Sequence, residues 1–280
     1  MNESITAREA LKQGASQLHP APTASRDAEL LLMRTLGKDR AWLLTHPDAP
    51  IAPNQLAQYK TWINRRQKHE PIQYILGEQE FYGLVFQVTR DVLIPRPETE
   101  HLVEATLERL PENTPLRIAD IGTGSGAIAI ALAHKLPQAK ITALDISKAA
   151  LAVAKENAAR HNVAERIDFR PSDLLEAAQG ERFDAIVSNP PYVATTEELE
   201  PQVRDYEPQT ALYAGETGLD IYRRLIPQAK AALKPEGWLL MEIGHGQSKA
   251  LAELLHGWAN TEFVDDLQGI PRVAIARRSA

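Results

Sequence analysis

From Leu116 onward, short apolar runs alternate with stretches whose apolar residues recur at helical spacing. LRIADIG, KITALD, RIDFRPSD, FDAIVSN and GWLLMEIG read as strands, and residues 125–135, 147–160, 218–233 and 247–258 as helices. TEFVDDL and RVAIARR close the chain as two more strands. Parallel neighbours in a sheet need a long crossover, and a helix supplies it. The pattern therefore predicts an α/β fold with a doubly wound, mostly parallel, Rossmann-like sheet. Ligands of such sheets bind at the carboxyl ends of the strands, so the loops that follow strands hold the candidate site.

The first part of the chain differs. Residues 1–69 read as a helical domain. Thr6 and Glu9 have capping-box spacing, and Ala10, Leu11, Ala15 and Leu18 follow on one face. A second helix runs from Ser25 to Gly37 with Leu30, Leu31, Met33 and Leu36, and a third starts at Pro53 with Leu56, Tyr59, Trp62 and Ile63. PIQYILGEQEFYGLVFQVTRDVLIPRP (71–97) is aromatic, β-branched and broken by glycines, which predicts a β-hairpin linker over 70–96 with two or three short strands. Pro97 suits the first position of a helix reaching Leu110, with Glu98 and Glu100 near its positive end. The α/β domain is then expected over 97–280.

Composition removes several function classes. The chain has no cysteine, so disulfides, thiolate–metal sites and a thiol nucleophile are excluded, and a reducing cytoplasm is the expected location. The polar start MNESITAREA does not read as a secretory signal, and no apolar run approaches the roughly 18–20 residues that span a bilayer, so no membrane partner is expected. A formal net charge of −6 argues against a dedicated duplex-DNA binder. The eight histidines show no metal-ligand spacing, so no metal is expected.

ADIGTGSGAIAIALA places Asp120, Gly122, Gly124 and Gly126 where a strand becomes a helix. Glycines permit a tight turn and let a ligand lie against the backbone. A plain turn needs fewer of them, so the loop reads as a nucleotide cradle. Gly122, Gly124 and Ala127 also satisfy the dinucleotide spacing, with Asp145 about twenty residues on. Asp145, which ends ITALD, would grip ribose hydroxyls of NAD or of S-adenosylmethionine alike. Two details favour S-adenosylmethionine. It has no pyrophosphate, so its loop can be denser in glycine and headed by an acid; Asp120 would orient the loop and the methionine ammonium, directly or through water. Ser172-Asp173 follows the third strand, where Asp173 would accept from an adenine amino group, although a helix cap before Leu174-Leu175 explains it equally.

The fourth strand ends in Asn189-Pro190-Pro191-Tyr192, beside the cleft onto which the glycine loop opens. The prolines fix φ near −65°, roughly, and Pro190 removes a backbone donor. Asn189 offers an acceptor oxygen, and the Pro190 carbonyl offers another. A planar –NH2 group, whether an amide or an exocyclic amine, could give one N–H to each. Its nitrogen would then be biased toward tetrahedral geometry, with the lone pair free for an electrophile. Tyr192 would pack on the planar group and tolerate positive charge developing on nitrogen. The loop thus reads as a holder for a planar nitrogen nucleophile.

DIGTGSG, ALD and NPPY, in that order and spacing, resemble the amino-methyltransferases of the class I S-adenosylmethionine-dependent fold. Residues 71–100, EPQTALYAGETGLDIYR (207–223), MEIGHGQ (241–247) and DLQGIPRVAIAR (266–277) extend the resemblance over nearly the whole chain, to the PrmC/HemK family of release factor glutamine methyltransferases. The resemblance implies transfer of a methyl group from S-adenosylmethionine to the side-chain nitrogen, N5, of the glutamine in the Gly-Gly-Gln motif of class 1 peptide chain release factors. S-adenosylhomocysteine would be the product. The family's cofactor positions fall on Gly122, Thr123, Gly124, Ser125, Gly126, Asp145 and Asn189, with Leu174 where an adenine-packing residue is expected. Asn189, Pro190, Pro191 and Tyr192 would hold the glutamine, and the helical domain and hairpin would dock the release factor. The implied partner is a protein, with no direct nucleic-acid contact, and the chain is expected to be a monomer.

Three other readings compete. An adenine-amino nucleic-acid methyltransferase would need a basic target-reading segment, which the sequence lacks. An NAD-dependent oxidoreductase leaves Asn-Pro-Pro-Tyr unexplained. A non-catalytic regulator would bind S-adenosylmethionine and a translation factor without turnover. Among single residues, Arg96 is expected either to meet a partner or the cofactor-side loop, or to pair with Glu98 or Glu100 and fix the junction between domains. Phe81 and Tyr82 are expected in the core, and Glu242 in a structural role. Ser125 has no nucleophile-elbow pattern around it.

Overall fold

A computed structural model describes residues 5–280. Residues 1–4, which open the expected helical domain and the polar MNESITAREA stretch, lie outside the described residues. The chain forms two compact units, one from its start to Gly77 with Glu200–Tyr206, the other from Glu78–Leu199 with Glu207–Ala280.

The smaller unit contains α1 (Ala7–Leu18), α2 (Ala24–Leu36), α3 (Arg40–Thr45), α4 (Pro53–Gln67) and α5 (Ile72–Leu76). The capping box forms as the spacing predicts. The Thr6 hydroxyl accepts from Glu9 N at 3.3 Å, and Glu9 Oε2 accepts from Thr6 N at 2.9 Å. Leu31, Leu32, Tyr59 and Ile63 fill the centre, and the Tyr59 hydroxyl lies 3.3 Å from the carbonyls of Ala10 and Ala28. Asp27 is buried but accepts from Arg66 Nε at 2.7 Å and from the Thr23 hydroxyl at 2.9 Å. The helix α3 is too short to show periodicity in sequence; Asp39 starts it by accepting from Trp42 N at 2.8 Å. Of the 71–97 stretch, expected to hold two or three short strands, PIQYIL is a helical turn and two strands follow it. The Pro71 carbonyl accepts from Tyr74 and Ile75, whose side chains are buried, so burial overrides local preference.

The larger unit runs β1 (Glu78–Phe81), β2 (Leu84–Gln87), α6 (Glu100–Arg109), β3 (Arg117–Ile121), α7 (Ala127–Lys135), β4 (Lys140–Asp145), α8 (Lys148–Arg160), β5 (Ile167–Pro171) and β6 (Phe183–Ser188). A short α9 (Pro201–Arg204) belongs to the smaller unit; α10 (Asp220–Ala232), β7 (Leu233–Glu242), α11 (Ser248–Leu254), β8 (Ala259–Asp265) and β9 (Pro271–Arg277) follow. The seven-stranded sheet has the order β5-β4-β3-β6-β7-β9-β8, parallel from β5 to β7, with β9 antiparallel to both neighbours. This is the doubly wound α/β fold that the alternation predicts. The central strands are apolar through most of their length because helices cover both faces, with polar residues chiefly at their ends and at Asp120. For the same reason every residue of α7 from Ala127 to Ala133 is buried.

The hairpin β1–β2 belongs to this larger unit. Phe81 and Phe86 are buried in its core, edge to face with ring centroids 6.1 Å apart, and Tyr82 packs against that core. Asn157 of α8, fully buried, accepts from Gln87 N at 2.8 Å and donates to the carbonyls of Gln87 at 3.0 Å and Ser125 at 2.9 Å. One side chain therefore ties β2 to the glycine loop. At about 1 kcal/mol for each of these bonds, Asn157→Ala should lose about 3 kcal/mol of stability. Urea unfolding measures this, and a loss below about 1 kcal/mol would show that the staple is dispensable.

Candidate active site

The register of three parallel strands builds the site. Ile121 of β3 is level with Leu144 of β4 and with Ser188 of β6. The residues that come next, Gly122, Asp145 and Asn189, therefore emerge side by side. The Leu144 carbonyl accepts from both Gly122 N, at 2.8 Å, and Thr123 N, at 3.0 Å, while the Ser188 hydroxyl donates to the Ile121 carbonyl at 2.7 Å. From β3 the chain winds toward β4 and from β6 toward β7, so the loops part at this point and open a crevice. The result is a cavity of about 360 Å³.

On one side lies the glycine loop. Gly122, Thr123, Gly124 and Ser125 line the cavity, and Gly122, Gly124 and Gly126 all take positive φ. Gly126 sits behind it at the head of α7, where a Cβ would come within 3.0 Å of Ile130 and 3.2 Å of Ala154. Asp145 lines the cavity and also braces the loop, accepting from Gly124 N and Ser147 N at 2.8 Å each. Burial raises its pKa, and the backbone N–H groups oppose the rise. Asp120 is a residue of β3, just before the loop. It is fully buried beneath the loop, away from the cavity wall, and its Oδ2 accepts from the Thr123 hydroxyl at 2.7 Å. Among the described residues no hydrogen bond reaches its Oδ1, and burial pushes its pKa up to about 7 against the pull of the Thr123 hydroxyl and the Ala129 N–H. Asp120 thus orients the loop from below.

Asp173 and Leu174 line the far wall. Asp173 does not cap a helix through its side chain; it accepts from Arg224 at 2.6 Å. Leu174 has φ of 50°, an uncommon state for a leucine. The Ser172 hydroxyl donates to its carbonyl at 2.8 Å and accepts from Ala177 N at 3.0 Å, which holds the turn.

Asn189, Pro190 and Pro191 form the opposite wall. Asn189 Nδ2 donates to the Thr99 hydroxyl at 3.1 Å, and among the described residues its Oδ1 takes no hydrogen bond. Tyr192, expected to cover a planar substrate, turns away from the cavity. Its ring packs with the apolar cluster of β7 and α10, and its hydroxyl donates to Glu242 at 3.3 Å. An acceptor on β7 and an apolar bed behind the loop make that inward pose the better-satisfied one. Glu242 is buried and also accepts from the Thr99 hydroxyl at 2.6 Å. Burial pushes its pKa up to about 7, against the pull of the Thr99 and Tyr192 hydroxyls.

The segments downstream hold this loop in place. Gln247 donates to the carbonyls of Tyr192 at 3.0 Å and Gly218 at 3.3 Å, and accepts from Gly244 N at 2.9 Å. Gly218 leaves no room for a side chain, since a Cβ would lie 2.2 Å from the Tyr192 carbonyl. Val193 and Tyr213 bridge in parallel, and Pro208, Thr210, Ala211 and Tyr213 complete the cavity wall. Arg96 lines the cavity and pairs at 2.5 Å with the buried Glu207, not with Glu98 or Glu100. Glu207 also accepts from Ile94 N at 3.2 Å. Sequence reasoning did not single out Thr99, Glu207, Arg224, Gln247 or Ile146. Only Ile146 carried a readable sign, an apolar residue directly after the strand-ending Asp145; it is 65% exposed on the cavity rim. Among the described residues, no cluster of His, Cys, Asp or Glu is arranged to hold a metal, and no helix is long and apolar enough to cross a membrane.

Sequence comparison with known proteins points to one family, and structural comparison to its fold. A family model described as the PrmC N-terminal domain matches residues 9–77, and one described as the methyltransferase small domain matches residues 101–204. A protein of Koribacter versatilis named release factor glutamine methyltransferase is 48% identical over 98% of this chain and 99% of its own length. A protein of the same name from Geobacter sulfurreducens is 44% identical over 91% of this chain and 89% of its own. Among solved structures, the Thermus thermophilus 16S rRNA N2 G1207 methyltransferase in complex with AdoMet and guanosine superposes with a TM-score of 0.56. It is 21% identical, over 72% of this chain and 49% of that one, so the likeness is one of fold.

The two buried acids give the site a pH signature. Asp120 and Glu242 keep protons in the folded chain to about pH 7, whereas unfolded carboxyls lose them near pH 4. Folding therefore takes up protons between about pH 4 and about 7, and stability falls as pH rises through that window. Glu242→Gln removes one of the two groups. Its urea midpoint should change less between about pH 5 and about pH 8 than that of the wild type, and an unchanged pH slope would contradict the burial of an ionisable Glu242.

Proposed function

The chain belongs to the release factor glutamine methyltransferases, and from that premise we propose how its cleft methylates the glutamine of the Gly-Gly-Gln motif. The observation that carries the reading is an asymmetric cleft. One wall is a glycine-rich cradle beside a carboxylate; the other is a rigid proline loop whose amide oxygen takes no hydrogen bond from the described residues. The cradle fits S-adenosylmethionine. Asp145 would accept from the ribose hydroxyls, Ile146 and Leu174 supply apolar surface for the adenine, and Gly122–Gly126 let the methionine end approach the backbone. S-adenosylmethionine supplies an electrophilic methyl group, and transfer makes a nitrogen–carbon bond as the sulfonium carbon–sulfur bond breaks, leaving S-adenosylhomocysteine.

The chain's own contribution is positioning. Asn189 Oδ1 and the Pro190 carbonyl would each accept one N–H of the glutamine amide. Held at both hydrogens, the nitrogen gives up part of its conjugation and turns its lone pair toward the cradle. Pro191 keeps the loop stiff. Tyr192 supports the loop from behind, through Glu242 and the Gln247 contact to its carbonyl. No base is needed before attack, because the amide proton becomes acidic only once the methyl has been added; it then leaves to water. The smaller helical unit, matched by the family's N-terminal domain, would dock the release factor. A reaction on release factors also assigns the chain to the cytoplasm.

Incubation of the protein with S-adenosylmethionine and an unmethylated release factor, followed by mass spectrometry, tests this reading. One added methyl on the glutamine, absent when the motif is Gly-Gly-Ala, is the expected result; no transfer to either, with S-adenosylmethionine bound, would remove the substrate assignment. Asn189→Ala should lower kcat by about a hundredfold while changing S-adenosylmethionine affinity less than about tenfold. Equal losses in titration calorimetry and turnover would contradict the holder role.

A further inference from the structure

The holder works only if Asn189 faces the right way. An asparagine amide carries a donor on one side and an acceptor on the other, and a half-turn about its last bond exchanges them. With the nitrogen toward the cavity, Asn189 would present N–H groups to a substrate that itself offers N–H groups. The side chain must therefore be fixed by something outside the loop, and the loop's own prolines cannot do it.

The fixing group is Thr99, which precedes α6 and is buried. Its hydroxyl lies 2.6 Å from Glu242 Oε2 and 3.1 Å from Asn189 Nδ2. A separation of 2.6 Å is that of a hydroxyl donating to a carboxylate oxygen. With Glu242 ionised, the one hydroxyl proton of Thr99 goes to Oε2 and Thr99 can only accept from Asn189; a protonated Glu242 would donate to Thr99 instead, so the relay belongs to the ionised state of Glu242. The Asn189 nitrogen is then required on the Thr99 side, and its oxygen is left for the cavity. Glu242 is held in turn by the Tyr192 hydroxyl at 3.3 Å, and the Tyr222 hydroxyl donates to its backbone carbonyl at 2.8 Å. The direction of donation thus runs from Asn189 through Thr99 to Glu242.

We propose that Thr99 and Glu242 are positioning residues that set the polarity of the Asn189 amide, and so decide that the site accepts N–H groups. This rests on the holder reading above. It assigns a function to the acid of the MEIG segment and to the threonine of PETE, which reach the site from two different elements.

The test compares Thr99→Val, which keeps the shape and loses the hydroxyl, with Thr99→Ser, which keeps the hydroxyl. Turnover on the release factor, S-adenosylmethionine affinity and the NMR signal of the Asn189 side-chain amide are measured for each, with Asn189→Ala to identify the signal. Thr99→Val should lose about tenfold or more in kcat, keep S-adenosylmethionine affinity within about threefold, and shift the Asn189 signal. Thr99→Ser should restore both turnover and signal. Wild-type turnover in Thr99→Val, or a loss in Thr99→Ser equal to that in Thr99→Val, would overturn the proposal. If the wild type itself transfers no methyl to a release factor, the reading of the substrate fails, and the amide signal alone decides the relay. A signal moved by valine and restored by serine supports it, and a signal indifferent to both overturns it.

Discussion

The site depends on the in-register pairing of β3 with β4 and β6. Three strands that end at one level deliver Gly122, Asp145 and Asn189 to one crevice, though the sequence separates the first and last by more than a helix, two strands and another helix. The hydrogen bonds that extend the pairing past the strand ends, from Gly122 N and Thr123 N to the Leu144 carbonyl and from the Ser188 hydroxyl to the Ile121 carbonyl, carry that register into the loops. A slip of one residue would turn Asp145 or Asn189 toward the opposite face. The buried, two-sided apolar packing of these strands is what forbids such a slip.

Around that register the polar groups fall into two layers. The upper layer faces the cavity and keeps unused hydrogen-bonding capacity, as in Asn189 Oδ1. The lower layer is buried and braces the upper one: Asp120 under Thr123, Asn157 under Ser125, and Thr99 and Glu242 under Asn189, while the half-buried Gln247 holds the Tyr192 carbonyl. Buried polar groups are costly unless paired, so each is placed where it satisfies a specific backbone or side-chain partner. Asp120 has one oxygen that no hydrogen bond reaches among the described residues, and shows the cost in its raised pKa.

Much of the fold was legible because periodicity records burial. KITALD forms β4 with the same bounds, and FDAIVS forms β6, since strands buried on both faces carry apolar runs through their middles. The helical turn of PIQYIL was not legible, because its β-branched and aromatic residues carry no helical signal and packing makes it helical. The upper layer of the site was readable for a similar reason: glycines, an acid and a proline pair carry their chemistry in their identity. The lower layer was legible only in part: Asp120 reads as orienting the loop and Glu242 as structural, but nothing in the sequence singles out Thr99, Asn157 or Gln247. A threonine before a helix or a glutamine after a strand has no distinctive pattern, and its partner lies far away in sequence, as Thr99 and Glu242 do. Tyr192 shows the same limit, since its residue type suggested contact with substrate and only the position of Glu242 shows why it turns inward.

The account's central claim is that the proline loop holds a glutamine amide by both of its hydrogens. A crystal structure of the protein with S-adenosylhomocysteine and a Gly-Gly-Gln peptide tests it most directly. The glutamine nitrogen is predicted about 3 Å from both Asn189 Oδ1 and the Pro190 carbonyl, with the Asn189 nitrogen still on Thr99. A glutamine seated with its carbonyl oxygen toward Asn189, or outside the crevice between β3 and β6, would contradict the account.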